Sequence, residues 1–511
     1  MSDAQEDGSE PFRVAIIGGG IGGLFCALAI HHHRHNDSSS SSSSFPSLPN
    51  DVGHNGATGT STTAPPKIGT KRKIQIDVYE QAPQYREIGA GVGIGINAAR
   101  LLHRLGLGSG LVKIAGQRQG TWFTFRRYEN SGEVVSIPDA EPELGDVRQS
   151  PCARSDLLEL FLGAIRERGA ATLHTEKACT GVAVLGSDNI EDRGGKVEVQ
   201  FRDGTSAVAD VVVGCDGVHS VVRDKFVTDA NNKSVESGMI AYRGIVPISA
   251  LEKDWPFDHW SNIWVSKHKH FLSYPITCNT KLNIVAFVTK RLGGGIPINE
   301  KEDEANKYKN IRESWSSLCD RDEVVADFAD FDEPVQRIIS LMDEKPGRWR
   351  INDHEPLSRW HFAGGRVVLV GDAAHAMLPH MGAGAGQSVE DGWILGRALA
   401  DYLRGHDSDS RDGNPNGGSS GDNKFESLES TMQFYQDIRL PRAQKVQAAS
   451  RVGGNLYELQ TEEMSALSYD DSLPVLGEAM RQRMKFVWSE DVDDSYNRMR
   501  DGKQQQQQQQ Q

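Results

Sequence analysis

FRVAIIGGGIGGLFCALAI, Phe12 to Ile30, opens with a short β-branched apolar run, Arg13 to Ile17, of the kind that forms a buried parallel strand. Gly18, Gly20 and Gly23 follow in the spacing G-x-G-x-x-G, ahead of an Ala/Leu-rich helix. Gly18 permits a tight turn, Gly20 lets backbone N–H groups approach a pyrophosphate, and Gly23 lets helix and strand pack closely. The helix N-terminus adds unpaired N–H groups and partial positive charge. Strand, glycine turn and helix together predict a dinucleotide site.

Such a site needs an acidic residue about 20 positions on to hold the ribose hydroxyls. A polar segment rich in Ser, Pro and Gly stands there instead, with too little apolar content to pack. Taken as an extruded loop, it makes Ile74 to Tyr79 the next strand and Glu80 the ribose partner. The His31 to His35 cluster before the loop is expected to be a solvated helix end rather than a metal tract.

The 511 residues exceed one ordinary core, so two domains or one large interleaved domain are expected. A net charge of −14 argues against a nucleic-acid partner, because phosphate neutralisation needs a basic face. Cys26, Cys152, Cys179, Cys215, Cys278 and Cys319 are scattered without C-x-x-C pairs, which favours free thiols in a reducing compartment. The acidic N-terminus lacks an apolar core, and no run of 18 apolar residues occurs. A cytoplasmic protein with no membrane partner is the expectation, and no metal site is expected.

Glycines 89, 91, 93 and 95 precede an amphipathic helix from Asn97, in a loop that brings backbone close to a flat ligand. Arg154 opens the next helix, with Ser155 as its expected cap and Leu157, Leu158, Phe161 and Ile165 on one face. Lys196 to Phe201 and Ser206 to Val213 are expected strands around the turn Arg202-Asp203-Gly204. The second places Asp216 at a strand's carboxyl end, where open α/β sheets bind ligands.

From about Ser237 the texture becomes short alternating runs with many aromatics, expected to form an antiparallel sheet along one wall of a pocket. A charged helical stretch near Glu300 to Phe328 follows. Parallel-strand chemistry then returns at Gly365 to Val370, ahead of GDAAHAMLPHMGAGAGQSVEDG. The fold class is therefore α/β, a Rossmann-like dinucleotide-binding domain interleaved with an antiparallel-sheet substrate domain, plus C-terminal helices. The expected boundaries are 11–236 for the first part of the binding domain, with a disordered insertion at 36–71. The substrate domain is 237–350 and the second binding part 351–404. A disordered linker at 405–424, helices over 425–502 and a disordered polyglutamine tail at 503–511 complete the chain.

Taken in order, GGGIGG with Glu80, EIGAGVGIGINAARLL, Cys215-Asp216-Gly217, GDAAHAMLPHMGAGAGQSVEDG and RLPRAQKVQAASR resemble the class A FAD-dependent aromatic hydroxylases. These are flavoprotein monooxygenases of the p-hydroxybenzoate hydroxylase type, and the likeness is greatest to their salicylate hydroxylase-like branch. It implies FAD with its pyrophosphate over Gly18 to Gly23 and Glu80 on the ribose. Gly93, Arg154, Asp216, Asp372 and Ala385 match positions at or near the cofactor. It implies NAD(P)H as a transient co-substrate, since only one dinucleotide fingerprint is present. It implies O2 activated as a flavin C4a-hydroperoxide that hydroxylates a phenolic ring, salicylate giving catechol and CO2. Arg223 and Tyr242 match positions implicated in activating the substrate, with Arg243 on the opposite face of Tyr242's strand.

The partners expected are thus a small aromatic substrate and O2, in a monomer or homodimer. Three alternatives stand beside this reading: a hydroxylase of larger polyketide-derived phenols, a non-catalytic FAD-binding regulatory protein, and a flavin reductase acting on an isoprenoid.

Overall fold

The computed structural model describes residues 10–36, 72–85, 91–116, 119–139, 144–186, 195–228, 232–289, 317–407 and 425–508. The first apolar run is the strand Phe12–Ile17, buried inside a six-stranded sheet between Val211–Gly214 and Ile74–Tyr79, both parallel to it. Thr172–His174 lies outside Ile74–Tyr79, and Val367–Leu369 lies outside Val211–Gly214, again parallel. The short strand His361–Phe362 closes that edge antiparallel. Later strands therefore flank Phe12–Ile17 on the side away from Ile74–Tyr79. The carboxyl end of Phe12–Ile17 is a topological switch point, the crevice where such sheets take ligands.

The helix Ile21–His35 packs along Gly384–Gly405, which brings the late segment onto the first fingerprint. Two glycines one turn apart allow the close approach. A Cβ at Gly392 would sit 3.0 Å from the Cys26 Cα, and one at Gly396 would sit 2.8 Å from the Ala29 carbonyl carbon.

An eight-stranded sheet stands beside this layer, in the order Ser317–Leu318, Gly347–His354, Ser234–Pro247, Lys281–Thr289, Lys269–Ile276, Asn262–Ser266, Thr121–Arg127, Glu133–Pro138. All its pairings are antiparallel except Asn262–Ser266 with Thr121–Arg127. This sheet is not confined to 237–350. It borrows two strands from before residue 150, and Gly347–His354 runs past the expected boundary. Interleaving is the reason: the central hairpins need a partner on each edge, and the earlier chain supplies one while Gly347–His354 supplies the other. The helices Leu428–Tyr457 and Tyr469–Arg483 cover its flank.

Several local expectations are corrected. The run Ser206 to Val213 breaks at Asp210 into Ser206–Ala209, antiparallel to Val197–Phe201, and Val211–Gly214 in the parallel sheet. Asp210 makes the break by accepting the Arg13 N–H on its side chain, 2.8 Å, while its own N–H donates to the Arg13 carbonyl. Ala153, not Ser155, precedes the helix Arg154–Arg168, and the Ser155 hydroxyl donates instead to Asp156. His32 and His33 pack on Trp393 with ring centroids 5.6 and 4.3 Å away, so the histidine run is a helix end seated on the fold. The C-terminal helix runs from Val492 to Gln508 and takes in most of the glutamine run, a good helix former, where disorder was expected. Gly89, residues 37–71 of the first insertion, 408–424 of the linker, and 300–316 of the charged stretch lie outside the described residues.

The chain is tied where the two insertions leave the described fold. Arg34, 3% exposed, donates to both Asp407 oxygens at 3.0 and 2.8 Å and to the Arg72 carbonyl. The Arg72 N–H also donates to Asp407. No helix among the described residues is long and apolar enough to cross a membrane.

Candidate active site

A cavity runs from the glycine turn, between the two sheets, to the C-terminal helices. Its first wall is the fingerprint. Gly20 lines it, while Gly18 and Gly23 stand behind as structural supports. Gly18 has φ +104°, and its N–H donates to the Tyr79 carbonyl at 2.8 Å. Glu80, one residue beyond Tyr79, accepts the N–H of Gly19 on Oε2 and that of Ala82 on Oε1, both at 2.8 Å. The carboxylate thus grips the turn from the neighbouring strand and keeps lone pairs for hydroxyl donors.

Gly93 lines the cavity on the strand Gly91–Ile94, where a Cβ would meet nothing nearer than the Gly382 carbonyl at 3.7 Å. Arg154 lines it from the start of its helix, with Nη2 3.5 Å from where a Gly20 Cβ would lie. Asp372 is exposed to it after the strand Val367–Leu369, beyond Gly371 at φ +65°. Ala385 lies in the first turn of Gly384–Gly405, whose N-terminus opens on the same space. Cys215 and Gly217 line it, but the Asp216 side chain turns back. Its Oδ2 accepts the Val222 N–H at 3.1 Å and its Oδ1 the Ser220 hydroxyl at 2.5 Å, so it caps the short helix that follows.

Gln149 was not singled out by the sequence. It is 5% exposed, lines the cavity near Arg154, and has no hydrogen-bond partner for either amide atom. Buried amides without partners are rare. A ligand carrying both donors and acceptors, such as the ribityl and phosphate chain of FAD, satisfies this one. The glycine cradle, a cation at Arg154, a grip on hydroxyls at Glu80 and the orphaned Gln149 amide together fit FAD.

The second wall is the larger sheet, and strand alternation sorts its side chains. Tyr242 pairs across the sheet with Ala286, Phe271 and Trp264, which face the core under the helices Arg321–Asp327 and Glu333–Leu341. Its side chain is fully buried, and its hydroxyl donates to Asp327 at 2.7 Å. Tyr242 therefore points away from the cavity. Arg243 pairs with Val285, Leu272 and Ile263, all of which line the cavity, as do Asn283's neighbour Tyr274 and the pair Phe287 and His270. The Arg243 guanidinium lies 3.5 Å over the Trp349 ring. Arg223 also stays out of the cavity. It is 4% exposed and is spent on its own turn, donating to the Val218 carbonyl at 2.7 Å and to Asn232 at 2.9 Å.

The third wall is C-terminal: Tyr457, Met484, Val487 and Trp488, with Trp488 edge-on to Trp122 at 4.8 Å. His380, from the stretch MLPHMG, completes this side, and its carbonyl accepts the Tyr457 hydroxyl at 2.8 Å. Sequence periodicity carried no signal for these residues, because they face the cavity from separate helices and a loop.

An FAD binding domain family model matches residues 100–411. Over 437 residues the chain is 30% identical to a salicylate hydroxylase of Pseudomonas putida, covering 82% of this chain and 88% of that one. It is 26% identical over 498 residues to the 6-methylsalicylate 1-monooxygenase atA of Aspergillus terreus, covering 95% and 91%. A solved salicylate hydroxylase substrate complex matches with a TM-score of 0.65 at 25% identity, covering 95% of this chain and 97% of that one.

Proposed function

We propose, on the premise that this chain belongs to the FAD binding domain family and is an FAD-dependent aromatic monooxygenase, that it hydroxylates a phenolic aromatic acid of the salicylate kind. The observation that carries this is Arg243, a guanidinium on the sheet wall of the cavity among Val285, Leu272 and Phe287. An anionic ring substrate finds there a charge-assisted donor set beside an apolar slot. Among the described residues that line the cavity Arg154 is the other arginine, and it stands at the glycine turn, so the two cations divide between pyrophosphate and substrate.

Bound FAD supplies the redox chemistry, taking electrons from NAD(P)H and activating O2. The protein's part is to position and to exclude water. Gly20, Glu80, Gly93, Gln149, Arg154, Asp372 and Ala385 hold the cofactor, Gly18 and Gly23 shape the turn beneath it, and Asp216 shapes the turn beside it. Arg243 orients the carboxylate, and the sheet wall and C-terminal helices enclose the ring. For salicylate the balanced reaction is salicylate, NAD(P)H, O2 and two protons giving catechol, CO2, NAD(P)+ and water.

The test is NAD(P)H oxidation under air by the FAD-loaded protein, with catechol and H2O2 quantified. Stimulation by salicylate with catechol in equal amount supports the reading. H2O2 alone marks salicylate as a non-substrate, and no stimulation by any carboxylated phenol overturns it in favour of larger, uncharged phenols.

Two substitutions on adjacent residues separate the faces of the strand. Arg243→Met is expected to raise KM for a carboxylated phenol by about 10- to 100-fold, the loss of a hydrogen bond to a charged group, with FAD content unchanged. Tyr242→Phe is expected to leave kcat and KM within about twofold. It should cost about 1 kcal/mol of stability, through the lost bond to Asp327. Steady-state kinetics and thermal unfolding of both variants check this.

A further inference from the structure

The wall formed by the larger sheet is longer than a single aromatic ring. Side chains on one face of a sheet line up in rows across the strands. Arg243 stands in one such row with Val285, Leu272 and Ile263, all of which line the cavity. Beyond Ile263 the lining passes to Phe123 and Trp122 on the neighbouring strand Thr121–Arg127. Alternation alone turns Trp122 away from the face of Phe123. A register shift in the pairing with Glu133–Pro138 falls between Thr121 and Phe123, however, and both rings reach the cavity. Four strand spacings separate Arg243 from Trp122 in the sheet order, roughly 19 Å.

Trp488 closes the far end. Its ring stands edge-on to Trp122, centroids 4.8 Å apart, and its Nε1 lies 3.4 Å from where a Gly95 Cβ would be. Both indoles are half-buried and line the cavity. The short helix that carries Trp488, Lys485–Ser489, is pinned on either side of that residue. Arg442 donates to the Val487 carbonyl at 2.9 Å and to Glu490 at 2.7 Å. Arg104 holds both Asp491 oxygens, at 2.8 and 2.5 Å. A wall fastened in this way does not yield when a substrate presses on it, which is what discrimination by size requires.

We infer that Trp488, backed by Trp122, is the specificity-determining residue that sets how long an apolar substituent the substrate carries opposite its carboxylate. This rests on the phenolic acid reading above. With the carboxylate on Arg243, one ring lies over Val285 and Leu272, and its far carbon faces Ile263. The lining from Ile263 to Trp488 carries no charged side chain among the described residues, so hydrocarbon suits it. The matching substrate class is a 4-alkyl-2-hydroxybenzoate, with salicylate as its shortest member.

The test is a series of 4-alkylsalicylates of growing chain length on the FAD-loaded protein. Dissociation constants come from the change each compound makes in the absorbance of the oxidised flavin, and kcat/KM from NAD(P)H oxidation with the hydroxylated product quantified. In the wild type, affinity is expected to rise about fourfold per methylene, the effect of burying one CH2. The rise should end at a break, where the next homologue loses about tenfold or more. Trp488→Ala should move that break to longer chains. It should raise kcat/KM for the first rejected homologue, relative to salicylate, by about tenfold or more. Trp122→Leu, on the sheet, should move the break in the same direction while leaving the helix Lys485–Ser489 intact. A wild-type series with no gain or no break overturns the assignment, as does a break at the same length in both variants. A lowered flavin-to-protein ratio in Trp488→Ala, with every homologue weakened equally, puts the indole in the cofactor seat and also overturns it. If Trp488→Ala does not fold, Trp122→Leu decides alone. If the wild type neither binds nor hydroxylates any member of the series, the substrate reading fails and this assignment with it.

Discussion

Arg439→Leu is expected to cost about 3–5 kcal/mol of stability, a large share of the 5–15 kcal/mol that holds a typical fold, and to depress the soluble yield. Arg439 is fully buried on Leu428–Tyr457. Its Nε donates to Asp391 at 2.8 Å, one terminal nitrogen to Glu390 at 2.5 Å, and the other to the Gln387 side chain at 2.8 Å. Both carboxylates are fully buried too. Arg442 also donates to Glu390 twice, so Glu390 keeps a cation in the variant, whereas Asp391 loses its arginine. A buried carboxylate oxygen that loses its cationic partner is the costly outcome, more than the pair's own net worth, even though His375 and the Gly371 N–H stay on the other oxygen.

The damage should reach the cofactor. The other Asp391 oxygen accepts the Gly371 N–H at 2.9 Å and His375 Nε2 at 2.6 Å. Glu390 accepts the Asn97 amide at 2.5 Å, one helix turn from the Gly91–Ile94 strand. The network therefore fixes the Gly371–Asp372 turn and the second glycine loop at once. Arg439→Lys, a point charge without the fork, should be intermediate. Thermal unfolding and flavin-to-protein ratio check the series, and a melting point equal to wild type in Arg439→Leu would sink the account. Burial pushes the Asp391 pKa up, but His375 and Arg439 outweigh it and bring it to about 2 from 3.8. A depressed carboxylate stabilises above its unfolded pKa, so this contribution is full at neutral pH. It fades as pH falls from about 4 towards 2.

How legible a residue was in the sequence follows from the range of the interaction that places it. Gly18, Gly20, Gly23 and Glu80 were readable because the turn and its strand neighbour are local geometry with a fixed spacing, even across a long insertion. The sheet wall was readable as alternation, but alternation gives two faces and not which one is wet. Tyr242 and Arg243 were thus assigned by resemblance, and the packing of Tyr242 beneath Phe271 and Trp264 decides their faces. Arg223 misled for a similar reason. A cation one turn beyond Asp216 looked free to reach a ligand, yet its Nε and one terminal nitrogen are held by Asn232 and the Val218 carbonyl, which turn the side chain away from the cavity. Gln149 left no periodic trace. Its importance is relational, a buried amide without a partner, and only the folded arrangement contains it.

Gly20→Ala and Gly23→Ala should part stability from cofactor affinity within a single turn. In an ordinary helix, replacing glycine by alanine stabilises by about 1 kcal/mol. At Gly23 the new Cβ would lie 2.0 Å from the Gly18 carbonyl oxygen. That oxygen cannot retreat easily, because Gly18 is held at φ +104° with its N–H on Tyr79. The helix Ile21–His35 must then shift off its strand, although it is packed closely on Gly392 and Gly396. Overpacking against backbone at about 3 kcal/mol outweighs the helical gain, so Gly23→Ala should melt earlier even as apoprotein and hold no FAD. Gly20 differs in both respects. Its φ is −76° and the nearest atom to a new Cβ is the flexible Arg154 Nη2 at 3.5 Å, so the apoprotein should be as stable as wild type. The methyl group would nonetheless enter the cavity wall where the pyrophosphate must come closest. FAD affinity should therefore fall by 10-fold or more, about 1.4 kcal/mol, measured by flavin titration of the apoprotein. Unaltered FAD affinity in Gly20→Ala would remove the glycine turn as the pyrophosphate seat. A Gly23→Ala apoprotein as stable as wild type would show instead that helix and strand have slack the packing denies.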